Sequence, residues 1–362
     1  MPTAAVDATP LLGRRTGVGV AVAGMLGALA GGRYDVVGYG LTGTGWRRLA
    51  AELPAGVATG RGPMPAALLL PVWSRHDHPA VEAWTGRVDV VHGTNFVVPP
   101  SRRAARLVTV NDLTPVRFPE LVTAASRRYP ALVARAVASG AHVHTASAFV
   151  AGEVREHFRL GADRVHVVPY GVSVPAGGAP APPGPPYVLA AATAEPRKDL
   201  PRLVAAWDRV AGEVPDLRLR LVGPEGWGEA DLRAAVAAAA HRDRIERTGW
   251  VADHGPLLAG AAAFAYPSRY EGFGFPPLEA MALGVPVVAS AAGAVPEVVG
   301  DAAALVPVGD TDAFAAALRR VLTDAAERDR LVAAGRARAA GYTWAAAGAA
   351  LADLYDRLRA GG

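Results

Sequence analysis

Tyr266-Pro-Ser-Arg-Tyr-Glu-Gly-Phe-Gly-Phe-Pro-Pro-Leu-Glu-Ala-Met-Ala-Leu-Gly-Val-Pro-Val-Val (266–288) is the stretch whose reading decides the fold. The apolar run Ala261 to Ala265 leading into it reads as a buried strand. Gly272 and Gly274 then flank Phe273 in a loop. Pro276 and Pro277 stand where a helix begins, and proline suits the first helical position. Leu278 to Leu283 reads as the helix, ended by Gly284 and Pro286, and Val285 to Ala289 returns to strand. Two glutamates therefore bracket a glycine loop: Glu271 before it and Glu279 in the first turn of the helix. Backbone N–H groups at a helix N-terminus make an anion site, and two nearby carboxylates can hold sugar hydroxyls. The residues alone also allow a plainer reading, in which Glu279 only favours its helix dipole and the glycines only make a turn. The order strand, glutamate, glycine loop, helix, glutamate, strand is more specific than an isolated loop.

Around this stretch the same alternation repeats. At 362 residues the chain has the length of about two domains, and 51% hydrophobic residues supply sizeable cores. Strands are expected at Ala4 to Ala8, Asp35 to Leu41, Val88 to Gly93, Leu107 to Asp112, His142 to Ser147 and Val165 to Pro169. Helices fall between them, among them Val20 to Ala30, Ala124 to Ala138 and Phe149 to Phe158. Residues 173–186 are crowded with proline and glycine and read as a linker. Beyond it come strands at Tyr187 to Thr193, Leu217 to Val222, Ile245 to Trp250, Ala261 to Tyr266, Val285 to Ala289 and Ala303 to Val308. Helices separate them at Leu200 to Ala211 and Asp231 to Ala240. Such alternation predicts parallel sheets covered by helices on both faces. The fold class is α/β, with two Rossmann-like domains, 1–172 and 187–342, facing a central cleft. The spacing of Trp344, Leu351, Leu354, Tyr355 and Leu358 makes one apolar stripe on a last helix within 343–362.

In parallel sheets ligands sit at the carboxyl ends of strands, and the unusual residues lie there. Gly13 to Gly19 reads as a glycine loop after the first strand, with Gly17 and Gly19 able to let a ligand approach the backbone. His92-Gly-Thr-Asn95 and Asn111-Asp-Leu follow two further strands. In the second half Glu195-Pro-Arg-Lys-Asp (195–199) follows a strand and precedes a helix. Arg197 and Lys198 there read either as loop surface charges or as a clamp on a diphosphate, an arginine fork beside a lysine point charge. Their place at a strand end and a helix N-terminus favours the clamp. Thr248-Gly-Trp-Val (248–251) ends another strand, with Trp250 read as core.

Composition excludes several classes. The 37 Lys and Arg against 33 Asp and Glu leave a net charge of +4, with no basic arm, so nucleic acid is not implied. There are no cysteines, which excludes disulfides and cysteine metal sites. No basic segment followed by an apolar one marks a secretory signal, and no uncharged run reaches the roughly 20 residues of a membrane helix. A soluble, cytoplasmic protein is expected, with peripheral contact to acidic lipids left open.

Glu271 and Glu279, with seven residues between them, resemble the signature of retaining glycosyltransferases of family 4, which have the two-domain GT-B fold. Arg197 and Lys198 resemble that family's phosphate-binding pair, in a Glu-Pro-Arg-Lys context typical of a bacterial, mannosyltransferase-like branch. Thr16-Gly-Val-Gly, His92-Gly-Thr-Asn-Phe and Thr109-Val-Asn-Asp-Leu resemble three loops of its first domain. The resemblance implies a nucleotide-diphospho-sugar as co-substrate, with no other cofactor. It implies donor contacts at Gly17, Gly19, Thr193, Arg197, Lys198, Val251, Glu271, Gly272, Phe273, Gly274, Phe275 and Glu279. Acceptor contacts are implied at Asn95, Asn111 and Asp112. Glu271, Arg197, Lys198 and His92 are the implied catalytic group. No metal is implied, no Asp-any-Asp pair being read as a metal site. The final helix is expected to cross back onto the first domain. The donor is expected to be GDP-mannose, and the acceptor a glycan, a lipid-linked or a small-molecule hydroxyl. A sugar-nucleotide epimerase of the same fold and a non-catalytic nucleotide-sugar-binding protein are the rival readings. Two residues depart from the family: Val20 where a basic residue is usual, and Asn111 where histidine is usual. Asparagine hydrogen-bonds a sugar but transfers no proton at neutral pH. Either the acceptor is unusual, another group such as His92 assists, or activity is impaired.

Overall fold

The computed structural model describes residues 1–13, 16–124, 126–174 and 184–361. It divides into two compact units, Met1–Gly171 with Tyr342–Gly362, and Val172–Gly341. Of the linker read over 173–186, residues 175–183 lie outside the described residues.

The first unit holds seven parallel strands: β1 (Thr3–Asp7), β2 (Asp35–Tyr39), β3 (Val57–Thr59), β4 (Val90–Gly93), β5 (Ala105–Thr109), β6 (His142–Thr145) and β7 (Val165–Val167), in the order β3-β2-β1-β4-β5-β6-β7. The second holds six: β8 (Tyr187–Ala191), β9 (Arg218–Val222), β10 (Ile245–Gly249), β11 (Ala263–Tyr266), β12 (Val287–Ser290) and β13 (Ala304–Val306), in the order β10-β9-β8-β11-β12-β13. Helices cover both faces, so the central strands are apolar along their length rather than alternating. Ala4, Ala5 and Val6 of β1 and Val188 and Leu189 of β8 are fully buried. In each sheet the chain adds two strands on one side of the first and then returns to the other. The reversal lies between β1 and β4, and between β8 and β11. Loops leaving those strands at their carboxyl ends part to either side and open a crevice.

Three local features differ from the sequence reading. Strand β3 was not expected: it is three residues long, partly exposed and at a sheet edge, too short to show a period. The first helix spans Gly17–Leu29, so Gly17 and Gly19 belong to its opening turns and not to a loop. Trp250 is not core; it is 50% exposed just beyond β10.

The last helix, Trp344–Ala360, belongs to the first unit, with Leu351, Leu354, Tyr355 and Leu358 buried. It packs on helix Gly17–Leu29 through small residues. A Cβ at Gly24 would lie 2.2 Å from the Trp344 ring, and one at Gly348 2.6 Å from the Ala28 Cβ. Among the described residues no helix is long and apolar enough to cross a membrane.

Candidate functional site

In the second unit the two strands flanking the reversal each deliver a charged group. From β8 the chain runs through a short 3-10 turn, Pro196–Lys198, to helix Leu200–Ala211. Asp199 joins the two in the left-handed region at φ 48°, a conformation that aspartate tolerates better than most residues. Its carboxylate accepts Arg202 Nε at 2.7 Å. From β11 the chain reaches Glu271, 7% exposed. Arg197 Nη1 donates to Glu271 Oε2 at 2.8 Å and to the Tyr270 carbonyl at 2.8 Å. Lys198 Nζ donates to Glu271 Oε1 at 2.6 Å and lies 5.5 Å from the Tyr266 ring centroid. Glu195 stands 3.6 Å from Arg197 Nη2.

The two cations thus take one oxygen each of a single carboxylate. Burial pushes the Glu271 carboxyl up, but Lys198 and Arg197 outweigh it and hold its pKa at about 2. Burial pulls Lys198 below the ordinary lysine value, against the attraction of Glu271. Glu271 is a permanent carboxylate at neutral pH and no proton donor. It fixes the direction of two positive charges at a strand end, which is how a site for a dianionic group is pre-organised.

The backbone that carries Glu271 is clamped from the next motif. Ala294 N donates to the Glu271 carbonyl at 2.9 Å. Gly293, at φ 59°, passes so near that a Cβ there would lie 2.3 Å from that carbonyl oxygen. Beyond Glu271, Gly274 at φ 134° turns the chain into helix Phe275–Ala282. The helix begins earlier than Leu278, and its second and third residues are Pro276 and Pro277. Proline carries no N–H, so the amides at this turn are those of Gly272 to Phe275. Phe273 and Phe275 are buried edge to face, with ring centroids 5.2 Å apart.

Glu279 is buried on that helix, and its Oε2 lies 3.1 Å from His254 Nε2. The hydrogen bond to Glu279 raises the His254 pKa above its ordinary value. No spacing in the sequence singled out His254. Thr193 lies beyond the end of β8, packed against the glycine loop after β9. A Cβ at Gly226 would meet the Thr193 methyl at 3.0 Å and the Ala194 carbonyl at 2.6 Å. Val251 follows the exposed Trp250 beyond β10.

The chain carries one Asp-any-Asp pair, Asp310 and Asp312. Asp310 caps helix Thr311–Thr323 by accepting Ala313 N at 2.8 Å, and Asp312 pairs with Arg209. Both therefore have structural work. Among the described residues no group of three or more His, Asp or Glu side chains is placed to hold a metal ion.

In the first unit His92 and Asn111 turn out differently from the sequence reading. His92 is fully buried. Its Nδ1 lies 2.7 Å from Tyr355 Oη, and its Nε2 2.7 Å from Thr109 Oγ1. Thr109 Oγ1 lies 2.9 Å from His144 Nδ1, and His144 Nε2 3.0 Å from the Val168 carbonyl. A carbonyl only accepts, so His144 carries its proton on Nε2 and accepts at Nδ1 from Thr109. Thr109 then accepts from His92 Nε2–H, and Tyr355 donates to His92 Nδ1. Burial drives both imidazoles toward the neutral form, His144 to about 4 and His92 well below its ordinary value. With both nitrogens occupied, His92 has none for catalysis; it ties the last helix to β4 and β5. Asn111 is likewise engaged. Its Nδ2 donates to the Thr94 carbonyl and to Asn95 Oδ1, each at 3.3 Å, and its Oδ1 accepts from Tyr170 Oη at 2.8 Å. It braces Asn95 rather than offering its own amide to an acceptor. Asp112 Oδ1 accepts Thr114 N at 2.8 Å, opening the short helix Thr114–Arg117.

A family model described as "Glycosyl transferases group 1" matches residues 185–324, the segment that holds Arg197, Lys198, Glu271 and Glu279. The chain is 33% identical over 290 residues to the O-antigen chain mannosyltransferase B of Escherichia coli, covering 74% of each protein. It is 34% identical over 227 residues to the MMP alpha-(1->4)-mannosyltransferase of Mycolicibacterium hassiacum, covering 59% of this chain and 53% of that one. Among solved structures, sucrose-phosphate synthase of Thermosynechococcus elongatus superposes over the full length of both chains at TM-score 0.76 and 21% identity. The lipopolysaccharide-biosynthesis glycosyltransferase WaaG covers 98% of this chain and 99% of its own, at TM-score 0.71 and 16% identity.

Proposed function

The chain belongs to the group 1 glycosyltransferases, of GT-B fold, and on that premise we propose that it is a retaining, metal-independent hexosyltransferase. It moves a sugar from a nucleotide-diphospho-sugar to the hydroxyl of a glycan, a lipid-linked or a small-molecule acceptor. GDP-mannose is the preferred donor, on the strength of relatives named for mannosyl transfer. The observation that carries the reading is the convergence of Arg197 and Lys198 on Glu271 at the strand reversal of the second sheet.

In this reading Arg197 and Lys198 stabilise the negative charge that grows on the diphosphate as it leaves. Glu271, permanently ionised, aims them and accepts hydroxyls of the transferred sugar, with the amides of Gly272 to Phe275 alongside. Glu279, held by His254, takes the ribose hydroxyls. The bond from the anomeric carbon to the diphosphate oxygen breaks, and a bond to the acceptor oxygen forms on the same face. The acceptor's proton passes to the leaving phosphate, so no protein base is required. That route fits a chain whose His92 has no free nitrogen and whose Asn111 transfers no proton. The products are a nucleoside diphosphate and a glycoside of unchanged anomeric configuration.

The test is a thermal-shift panel of GDP-mannose, UDP-glucose, UDP-N-acetylglucosamine and dTDP-rhamnose, followed by transfer assays with the donor that stabilises most. A donor that binds only the folded state raises the melting temperature. Transfer with retention, read from the anomeric proton of the product, supports the proposal. Donor conversion without an acceptor, or an inverted product, overturns it.

A further inference from the structure

His254 and Glu279 come from different elements of the second unit. Glu279 sits on helix Phe275–Ala282, which follows β11. His254 lies in the segment after β10, just beyond Val251, and caps the short helix Gly255–Ala259. Its carbonyl accepts Leu258 N at 2.8 Å, and the neighbouring Asp253 Oδ1 accepts Gly255 N at 2.8 Å. The backbone that carries the imidazole is therefore pinned at the start of that helix. From there the ring reaches across to Glu279, Nε2 to Oε2 at 3.1 Å. An ionised carboxylate only accepts, so the proton of this bond is on His254 Nε2.

One oxygen of the Glu279 carboxylate is thereby taken and the other is left. Among the described residues no hydrogen bond reaches Glu279 Oε1. The side chain keeps 11% of its surface exposed, so the group is not sealed away from a ligand. A glutamate side chain loses much rotamer freedom when it is fixed. The bond from His254 fixes this one before any ligand arrives, and a ligand that then uses Oε1 does not bear the ordering cost.

We propose that His254 is a positioning residue that makes the donor site select ribonucleotides over 2′-deoxyribonucleotides. The inference rests on the transferase reading, in which Glu279 takes the ribose hydroxyls. With Oε2 held by His254, Oε1 is a fixed acceptor for the 2′ and 3′ hydroxyls of one ribose. A sugar without the 2′ hydroxyl leaves that acceptor under-used in a largely dry place, which costs more than the missing bond itself. The substrate class is then a sugar on a ribonucleoside diphosphate, such as GDP or UDP, and not one on deoxythymidine diphosphate. Without a donor at position 254 the carboxylate turns among several rotamers, and the distinction between the two pentoses fades.

Calorimetric titration of GDP, 2′-deoxy-GDP, UDP and 2′-deoxy-UDP into the full chain tests this. Wild type should bind at least one ribonucleotide about tenfold or more tightly than its deoxy counterpart, the scale of a hydrogen bond to a charged group. His254→Phe keeps a ring and loses the donor. It should bind the deoxynucleotide as wild type does, while the ribonucleotide's advantage shrinks to about threefold or less. His254→Gln restores an N–H donor and should restore most of the advantage, which a merely structural role for the ring would not do. His254→Ala is the second donor-less variant should His254→Phe fold poorly. A donor-less variant that keeps the full ribose preference overturns the proposal, as does a His254→Gln no better than His254→Phe. A wild type that binds nucleotides without preferring ribose overturns it too and leaves the Arg197–Lys198 clamp standing. A wild type that binds none of the four nucleotides overturns the transferase reading itself, and this inference with it.

Discussion

Replacing Lys198 with methionine removes the ammonium and keeps most of the stem's bulk. Glu271 then keeps one cation where it had two. Its carboxyl is lowered from 4.5 to about 2, worth roughly 3 kcal/mol in favour of the charged form at about 1.4 kcal/mol per tenfold. That is what Lys198 and Arg197 supply after the cost of burial has been met. The sign is that of a depressed acid: the stabilisation is complete above about pH 4.5 and is lost as pH falls toward 2. At pH 7, Lys198→Met is therefore expected to cost the second unit about 2 kcal/mol. Glu271→Gln should cost about as much, because it leaves two buried cations without their counter-ion. The double variant should cost less than the sum, with a coupling of about 1 to 3 kcal/mol for a pair in direct contact. Urea titration followed by hydrogen exchange at amides of the second unit measures this without assuming that the two units unfold together. Additive losses, with coupling below about 0.5 kcal/mol, would refute the claim that Lys198 and Glu271 form one electrostatic unit.

Three further outcomes follow from other parts of the molecule. Gly293→Ala places a Cβ 2.3 Å from the Glu271 carbonyl at a positive φ, so it should lower the melting temperature and weaken donor binding together, read by thermal shift with and without nucleotide. Tyr355→Phe removes the donor to His92 Nδ1 and leaves a buried acceptor unmet, a loss of about 1 to 3 kcal/mol in a urea titration, with nucleotide affinity unchanged. His144, neutral when folded and depressed from 6.5 to about 4, withholds a proton that the unfolded chain binds, so the first unit should lose stability between pH 6.5 and 4. Asp7, raised to about 6, opposes that loss over the same range, and Asp7→Asn should make the decline steeper.

The sheets were legible because each strand rests on local chemistry. Apolar runs punctuated by glycine and proline gave twelve of the thirteen strands; only the three-residue edge strand Val57–Thr59 left no periodic trace. Arg197, Lys198 and Glu271 stand in the segments that follow strands, and Glu279 on the helix beyond, where residue type and position together restrict the chemistry. What failed depended on distant partners. His92 and Asn111 look like site residues in a linear reading. Their engagement comes from Tyr355 and Tyr170, 263 and 59 residues away. His254 was missed for the converse reason. A histidine in a turn acquires meaning only from the Glu279 carboxylate beside it. Trp250 was read as core by its size, whereas its place beyond a short edge strand leaves it exposed.

Calorimetric titration of GDP and UDP into wild type and Lys198→Met tests most directly whether the second unit holds a nucleoside diphosphate through the cluster at Glu271. One nucleotide should bind wild type, and the variant should bind it on the order of tenfold to a hundredfold more weakly, the scale of a charge-assisted contact to phosphate. A wild type that binds neither nucleotide, or a variant that binds as tightly as wild type, would contradict it.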